Sequence, residues 1–206
     1  MQYPDDSPWS STHHYTDLGA DLVELAESLG TPIDLLGHSM GGKASMMATL
    51  TRPDLIRKLI VADIAPVTYS HTQMMYIDAM RGIDLSNLER RSQAEAALRA
   101  VIDDPILPSF FTQSLDLKAK RWKLNLDTLA QEMQAILSFP EVTGHFTGPT
   151  LFLTGATSSY VLPEHRERIK ALFPKAKFAK IPGAGHWLHA EKPAEFEAAV
   201  RHFLAA

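Results

Sequence analysis

Leu35-Leu36-Gly37-His38-Ser39-Met40-Gly41-Gly42-Lys43 is the stretch on which the fold of this chain turns. An apolar run, Pro32-Ile33-Asp34-Leu35-Leu36, stops at a Gly-x-Ser-x-Gly, and a helix-compatible segment from Lys43 to Leu50 follows at once. Strand, tight turn and helix in that order make the setting of a nucleophile elbow, in which a serine is held in a strained backbone conformation at the end of a parallel strand. Glycines at 37 and 41 are expected to remove side chains that would clash there, and Gly42 and Ala44 to let the helix start close to its neighbours. The amide of Met40 would then lie at a helix N-terminus, able to donate to a developing oxyanion. A Gly-rich turn with a chance serine is the plain alternative, and it leaves the flanking strand and helix without a role.

Around this turn the chain alternates. Leu18, Leu22, Val23, Leu25, Ala26 and Leu29 recur at three- and four-residue steps, which predicts a helix capped by Thr16 or Asp17 and ended by Gly30. Strand 33–37 and helix 41–52 come next, stopped by Pro53. Lys58-Leu59-Ile60-Val61-Ala62-Asp63 is a continuous apolar run ending in a carboxylate, as expected of a strand buried on both faces of a parallel sheet. Helix, strand, helix, strand implies an α/β fold with right-handed crossovers.

From about Pro66 to Phe146 the period changes to helix signals with no convincing strand. Ser92-Gln93-Ala94-Glu95 reads as a capping box before Ala97, Leu98, Val101 and Ile102, broken by Asp104-Pro105. Further helices are expected over 72–81, 106–115 and 126–137. Residues 68–146 are therefore read as an inserted helical cap, and 1–67 with 147–206 as a discontinuous core. Met74, Met75, Met80 and Met133 are either ordinary helix packing or the lining of an apolar pocket. After Gly148-Pro149 the alternation returns: strand 150–154, a helix from Pro163 to Phe173, strand 176–181, the loop Gly183-Ala184-Gly185-His186-Trp187 and a last helix from Pro193 to Leu204.

Composition narrows the function. With 206 residues, 45 % hydrophobic, the chain can bury a real core in one domain with an insertion. A net charge of −4 without like-charge runs argues against nucleic acid or an anionic membrane as partner. No stretch approaches the roughly 18 apolar residues of a spanning helix, and Met1 to Asp6 lack the basic start and apolar block of a signal peptide. The absence of cysteine rules out disulfides and thiolate chemistry and fits a cytoplasmic protein. His13 and His14 end an irregular lead-in and read as solvated loop histidines, since no further ligand spacing supports a metal pair.

A serine nucleophile needs a base, and the base needs an orienting acid. His186 follows the last strand in a loop of small residues, so its ring can swing over the carboxyl edge of the sheet; His189 is read as its partly exposed neighbour. In many folds of this kind the acid follows the strand after the cap, yet Gly155-Ala156-Thr157-Ser158-Ser159-Tyr160 holds no carboxylate. Asp63 ends the strand next to the nucleophile strand and is the preferred acid, the alternative being that it caps a turn. Glu164 is the reserve, at a helix start where it would be solvated.

Three motifs now stand together: Gly37-His38-Ser39-Met40-Gly41-Gly42-Lys43, Asp63-Ile64-Ala65-Pro66-Val67, and Gly183-Ala184-Gly185-His186-Trp187-Leu188-His189-Ala190-Glu191-Lys192-Pro193. From about Tyr15 to its end the chain resembles the α/β-hydrolase superfamily, and within it small bacterial esterases of the YbfF type. The resemblance implies a triad of Ser39, Asp63 and His186, an oxyanion donor at the amide of Met40, and substrate-facing positions at His38, Trp187 and Lys123. At Trp122-Lys123 the family usually carries Arg, and a plain surface lysine is the alternative. No metal or organic cofactor is implied.

The same resemblance exposes a departure. Family members begin with strands that residues 1–32 do not supply, one of which carries a His-Gly loop giving a second oxyanion donor. Another ends in an Arg-Asn-His-Gly-like turn, of which Ser7-Pro8-Trp9 would be the remnant. The expected sheet is thus reduced, with the nucleophile strand at an open edge that a second copy of the chain could cover. Two functions follow. The first is a serine carboxylesterase for short- to medium-chain acyl esters. The second is a shortened hydrolase-fold protein with weak or no turnover that binds a ligand or self-associates. Thioester or carbon–carbon cleavage would use the same triad, whereas a dehalogenase would need an aspartate where Ser39 stands.

Overall fold

The computed structural model describes residues 9–206. The expectations placed on Met1 to Asp6 and on Ser7-Pro8 lie outside the described residues. In chain order the elements are α1 (Tyr15–Ser28), β1 (Ile33–His38), α2 (Met40–Thr51) and β2 (Ile56–Ala62). Next come α3 (Met74–Arg81), α4 (Arg91–Arg99), α5 (Leu107–Thr112), a hairpin of β3 (Leu115–Asp116) and β4 (Arg121–Trp122), α6 (Leu126–Gln131) and α7 (Met133–Leu137). β5 (Thr150–Gly155), α8 (Arg166–Leu172), β6 (Ala176–Ile181), α9 (Leu188–Glu191) and α10 (Pro193–Ala205) close the chain.

Two compact units emerge, one of residues 14–69 and 138–206, the other of 70–137 with residues 9–13. The first is an α/β unit whose four strands run parallel in the order β1-β2-β5-β6. Its sheet is covered on both faces, and the period of two along each strand assigns the residues. Leu59 and Val61 of β2 and Phe152 of β5 face one core with Tyr15, Met46, Ile169 and Phe173. Ile60 and Ala62, with Leu151 and Leu153, face the other with Leu188 and Phe203. That two-sided burial is why β2 and β5 read as unbroken apolar runs. β1 pairs on one side only among the described residues, and its Leu36 is 42 % exposed.

Several local expectations change. α1 begins at Tyr15 with His14 at its cap, because the His14 carbonyl accepts from both Asp17 and Leu18. α4 begins at Arg91, so Ser92 is already inside it; the Gln93 side chain reaches back to the amides of Arg90 and Glu89 at 2.8 and 2.9 Å. The stretch read as purely helical holds the hairpin β3–β4, each arm two residues long. Residues 138–146 group with the α/β unit, where Phe139 and Phe146 join the core. His13 is buried, unlike the exposed His14. Of the four methionines, Met80 and Met133 are buried packing residues, while exposed Met75 borders an open depression with Asp78 and Gly82.

Candidate active site

The register of β1 and β2 sets His38 beside Ala62, so the residues that follow, Ser39 and Asp63, leave adjacent strands at the same edge. The Ser39 amide donates to the Ala62 carbonyl, and the Asp63 amide to that of Leu153, each at 2.9 Å. Both residues have a φ of 52°, a left-handed conformation that costs a side-chain-bearing residue on the order of 1 kcal/mol or more. The turn at Ser39 is tight because Gly37 lies against α2: a Cβ there would meet the Gly41 carbonyl oxygen at 2.2 Å and Ser45 Oγ at 2.4 Å. Gly42 is crowded too, by Ile64 at 2.6 Å, but a Cβ on Gly41 would meet nothing within 4 Å. The expected steric role of Gly41 is therefore not found. Met40 is the first residue of α2, where first-turn amides point out of the helix toward negative charge.

Ser39 Oγ lies 3.0 Å from His186 Nε2, and His186 Nδ1 lies 2.8 Å from Asp63 Oδ2. With Nδ1 protonated toward the carboxylate, Nε2 is left as an acceptor for the serine hydroxyl. Asp63 is fully buried, yet its carboxylate is well supplied with donors. Besides His186, Ser158 Oγ donates to Oδ2 at 2.5 Å and the Gly155 amide to Oδ1 at 3.2 Å. Asp63 is thus not a simple turn cap, and Glu164 sits exposed in the short helical turn before α8.

The histidine loop is gripped from both sides. The Glu191 carboxylate accepts from the amides of Gly185 and Trp187 at 2.8 and 3.1 Å. The Tyr160 ring stacks on the His186 ring, centroids 4.0 Å apart. His38 Nε2 donates to the His186 carbonyl at 2.8 Å. Burial, followed by the nearby rings of His186 and His189, pulls the His38 pKa down to about 4, so this imidazole is neutral near pH 7. His189 is also pulled down by burial, and its ring is 4.6 Å from that of His38. Trp187 lies 5.6 Å from both His38 and His186.

The α/β unit accordingly brings together Ser39, Met40, Asp63, His186, His38 and Trp187. Lys123 belongs to the helical unit; its amide donates to the Ser114 carbonyl and its carbonyl accepts from Trp9 Nε1 at 3.0 Å. Three supporting residues carry no role in the sequence reading: Ser158, Tyr160 and Glu191. The first two sit in the loop noted only for lacking a carboxylate. A hydroxyl where an acid was expected, next to an aromatic, was the available signal.

Comparison with known proteins shows the family to which this fold belongs. A family model described as "Alpha/beta hydrolase family" matches residues 3–199. The mouse (Mus musculus) "sn-1-specific diacylglycerol lipase ABHD11" is 40 % identical over 97 % of this chain, which spans 68 % of that protein. The Escherichia coli (strain K12) "Esterase YbfF" is 33 % identical over 96 % of this chain and 78 % of its own length. A solved structure described as "Marine microorganism esterase" superposes with a TM-score of 0.91 at 36 % identity, covering 97 % of this chain and 80 % of its own.

Proposed function

The chain belongs to the α/β hydrolase family, and from that premise we propose that it is a serine carboxylesterase acting on short- to medium-chain acyl esters. The observation that carries the reading is the unbroken line from Ser39 Oγ through the His186 ring to buried Asp63. In this reading His186 Nε2 takes the Ser39 proton as Oγ attacks the ester carbonyl. The Met40 amide stabilises the tetrahedral oxyanion. His186, now an imidazolium balanced by Asp63, passes the proton to the leaving alcohol, and an acyl group remains on Ser39. Water then attacks that acyl carbonyl with His186 again as base, and the acid departs. His38, Trp187 and Lys123 are proposed to meet the substrate. Among the described residues no helix is long and apolar enough to cross a membrane. A cysteine-free chain fits a reducing cytoplasm.

A fluorophosphonate probe tests the chemistry directly. The expected result is one adduct, on the peptide holding Ser39, with labelling and p-nitrophenyl acetate hydrolysis both lost in Ser39→Ala. Folded protein that does not label at Ser39 would overturn the reading, and a series of p-nitrophenyl esters measures acyl-length preference.

A second reading, association of two copies without turnover, is favoured by one observation, the one-sided pairing of β1 among the described residues, with Leu36 exposed. Light scattering on Ser39→Ala separates it: the expected mass is that of a dimer, and a monomer at all concentrations removes it.

A further inference from the structure

Among the fully buried large side chains of the α/β unit is a lysine. Lys43, on α2 one turn beyond the nucleophile, is only 1 % exposed, and its amide donates to the Ser39 carbonyl at 3.2 Å. An ammonium removed from water is costly, and a methionine would fill similar space without that cost. What the charge holds is therefore informative. Lys43 Nζ donates to the carbonyls of Val67 and Ser138, at 3.0 and 2.5 Å. These residues lie at the two ends of the excursion: the chain leaves the α/β unit after Tyr69 and re-enters it at Ser138. One side chain on the nucleophile helix thus binds both segments of the neck.

The contacts continue toward the reacting groups. Nζ lies over the rings of Tyr15 and Tyr69, at 5.4 and 4.8 Å from their centroids. The Tyr69 hydroxyl accepts from the Ala65 amide at 2.8 Å and donates to the Tyr160 carbonyl at 2.7 Å. Tyr160 is the residue whose ring stacks on His186. We propose that Lys43 is a positioning residue that clasps the neck shut at Val67 and Ser138 and, through Tyr69 and Tyr160, holds the His186 ring in line with Ser39. Burial pulls the Lys43 pKa down to about 7. The link to His186 rests on the esterase reading above, whereas the clasp itself does not.

The test compares the parent, Lys43→Met and Tyr69→Phe by hydrogen exchange and by fluorophosphonate labelling rate. In Lys43→Met, the amides of Ala65, Val67, Thr68, Tyr69, Ser138 and Phe139 are expected to exchange at least tenfold faster while those of β5 stay unchanged, and labelling of Ser39 to slow about tenfold. In Tyr69→Phe, Val67 and Ser138 are expected to keep their protection while labelling slows about threefold. Neck exchange within twofold of the parent in folded Lys43→Met overturns the clasp. Faster neck exchange with unchanged labelling overturns the link to His186. A parent that never labels defeats the esterase reading and leaves the exchange result standing on its own. Should Lys43→Met not fold, Lys43→Gln, which keeps one donor, is read by the same criteria.

Discussion

In the α/β unit, Leu59 to Ala62 of β2 are at most 1 % exposed and are paired on both sides by strands from distant parts of the chain. In the helical unit, helices of five to nine residues are pinned by single side chains reaching backbone carbonyls. Arg91 donates to the carbonyls of Thr112 and Leu115, and Trp122 Nε1 to that of Met80. Sheet register fixes where Ser39 and Asp63 end up, because moving either means moving a strand. Helices that short are marginal without such ties, and each tie can be exchanged separately. The chemistry is thus tied to the part of the molecule that cannot adjust piecemeal.

Four measurements bear on that contrast, beginning with the largest. Asp63→Asn should lower kcat/KM by about 10³–10⁴-fold with the fold intact, because the amide favours the wrong His186 tautomer. Lys123→Ala, in the helical unit, should cost less than about tenfold, and an equal loss would dissolve the contrast. Gly37→Ala should destabilise the protein by about 3 kcal/mol or more in denaturant melts, since its methyl group meets the backbone of Gly41. Trp122→Phe should cost about 2 kcal/mol by leaving the Met80 carbonyl unsatisfied, with the Ser39 labelling rate unchanged. A parallel fall in labelling would show that the helical unit also sets site geometry.

A further prediction is a pH slope. Lys43 has its pKa lowered from 10.5 to about 7. Between those values the unfolded chain holds a proton that the folded protein has released, so raising the pH favours the folded state by about 1.4 kcal/mol per unit. Below about pH 7 the full penalty applies, and the gain is complete near 10.5. Tyr15 and Tyr69, the ionisable rings facing Lys43, are pushed up by burial and stay neutral through the window. Lys43→Met should flatten this slope, and an unaltered slope would show that the lysine is not its source.

Much of the α/β unit was legible because buried parallel strands leave contiguous apolar runs, and because a Gly-x-Ser-x-Gly between strand and helix has few other uses. Asp63 could be found by elimination, once residues 155–160 were seen to lack an acid. What escaped had no periodicity to betray it. Two-residue strands cannot alternate, α9 is a single turn, and α4 is capped by Gln93 reaching back rather than by Ser92. Burial of Lys43 was hidden for a different reason: a lysine reads as surface, and the neck carbonyls that converge on it belong to segments far from it in the sequence.

The left-handed backbone at 39 and 63 also limits which amino acids can be installed there. Threonine, branched at Cβ, would be strained at a φ of 52°, so the other small hydroxyl side chain is unavailable at 39 although cysteine is not. At 63 asparagine tolerates the conformation as well as aspartate does, which makes loss of charge an easy change and extension to glutamate a hard one. Re-engineering of this protein therefore begins from a short alphabet set by the main chain, before any question of substrate arises.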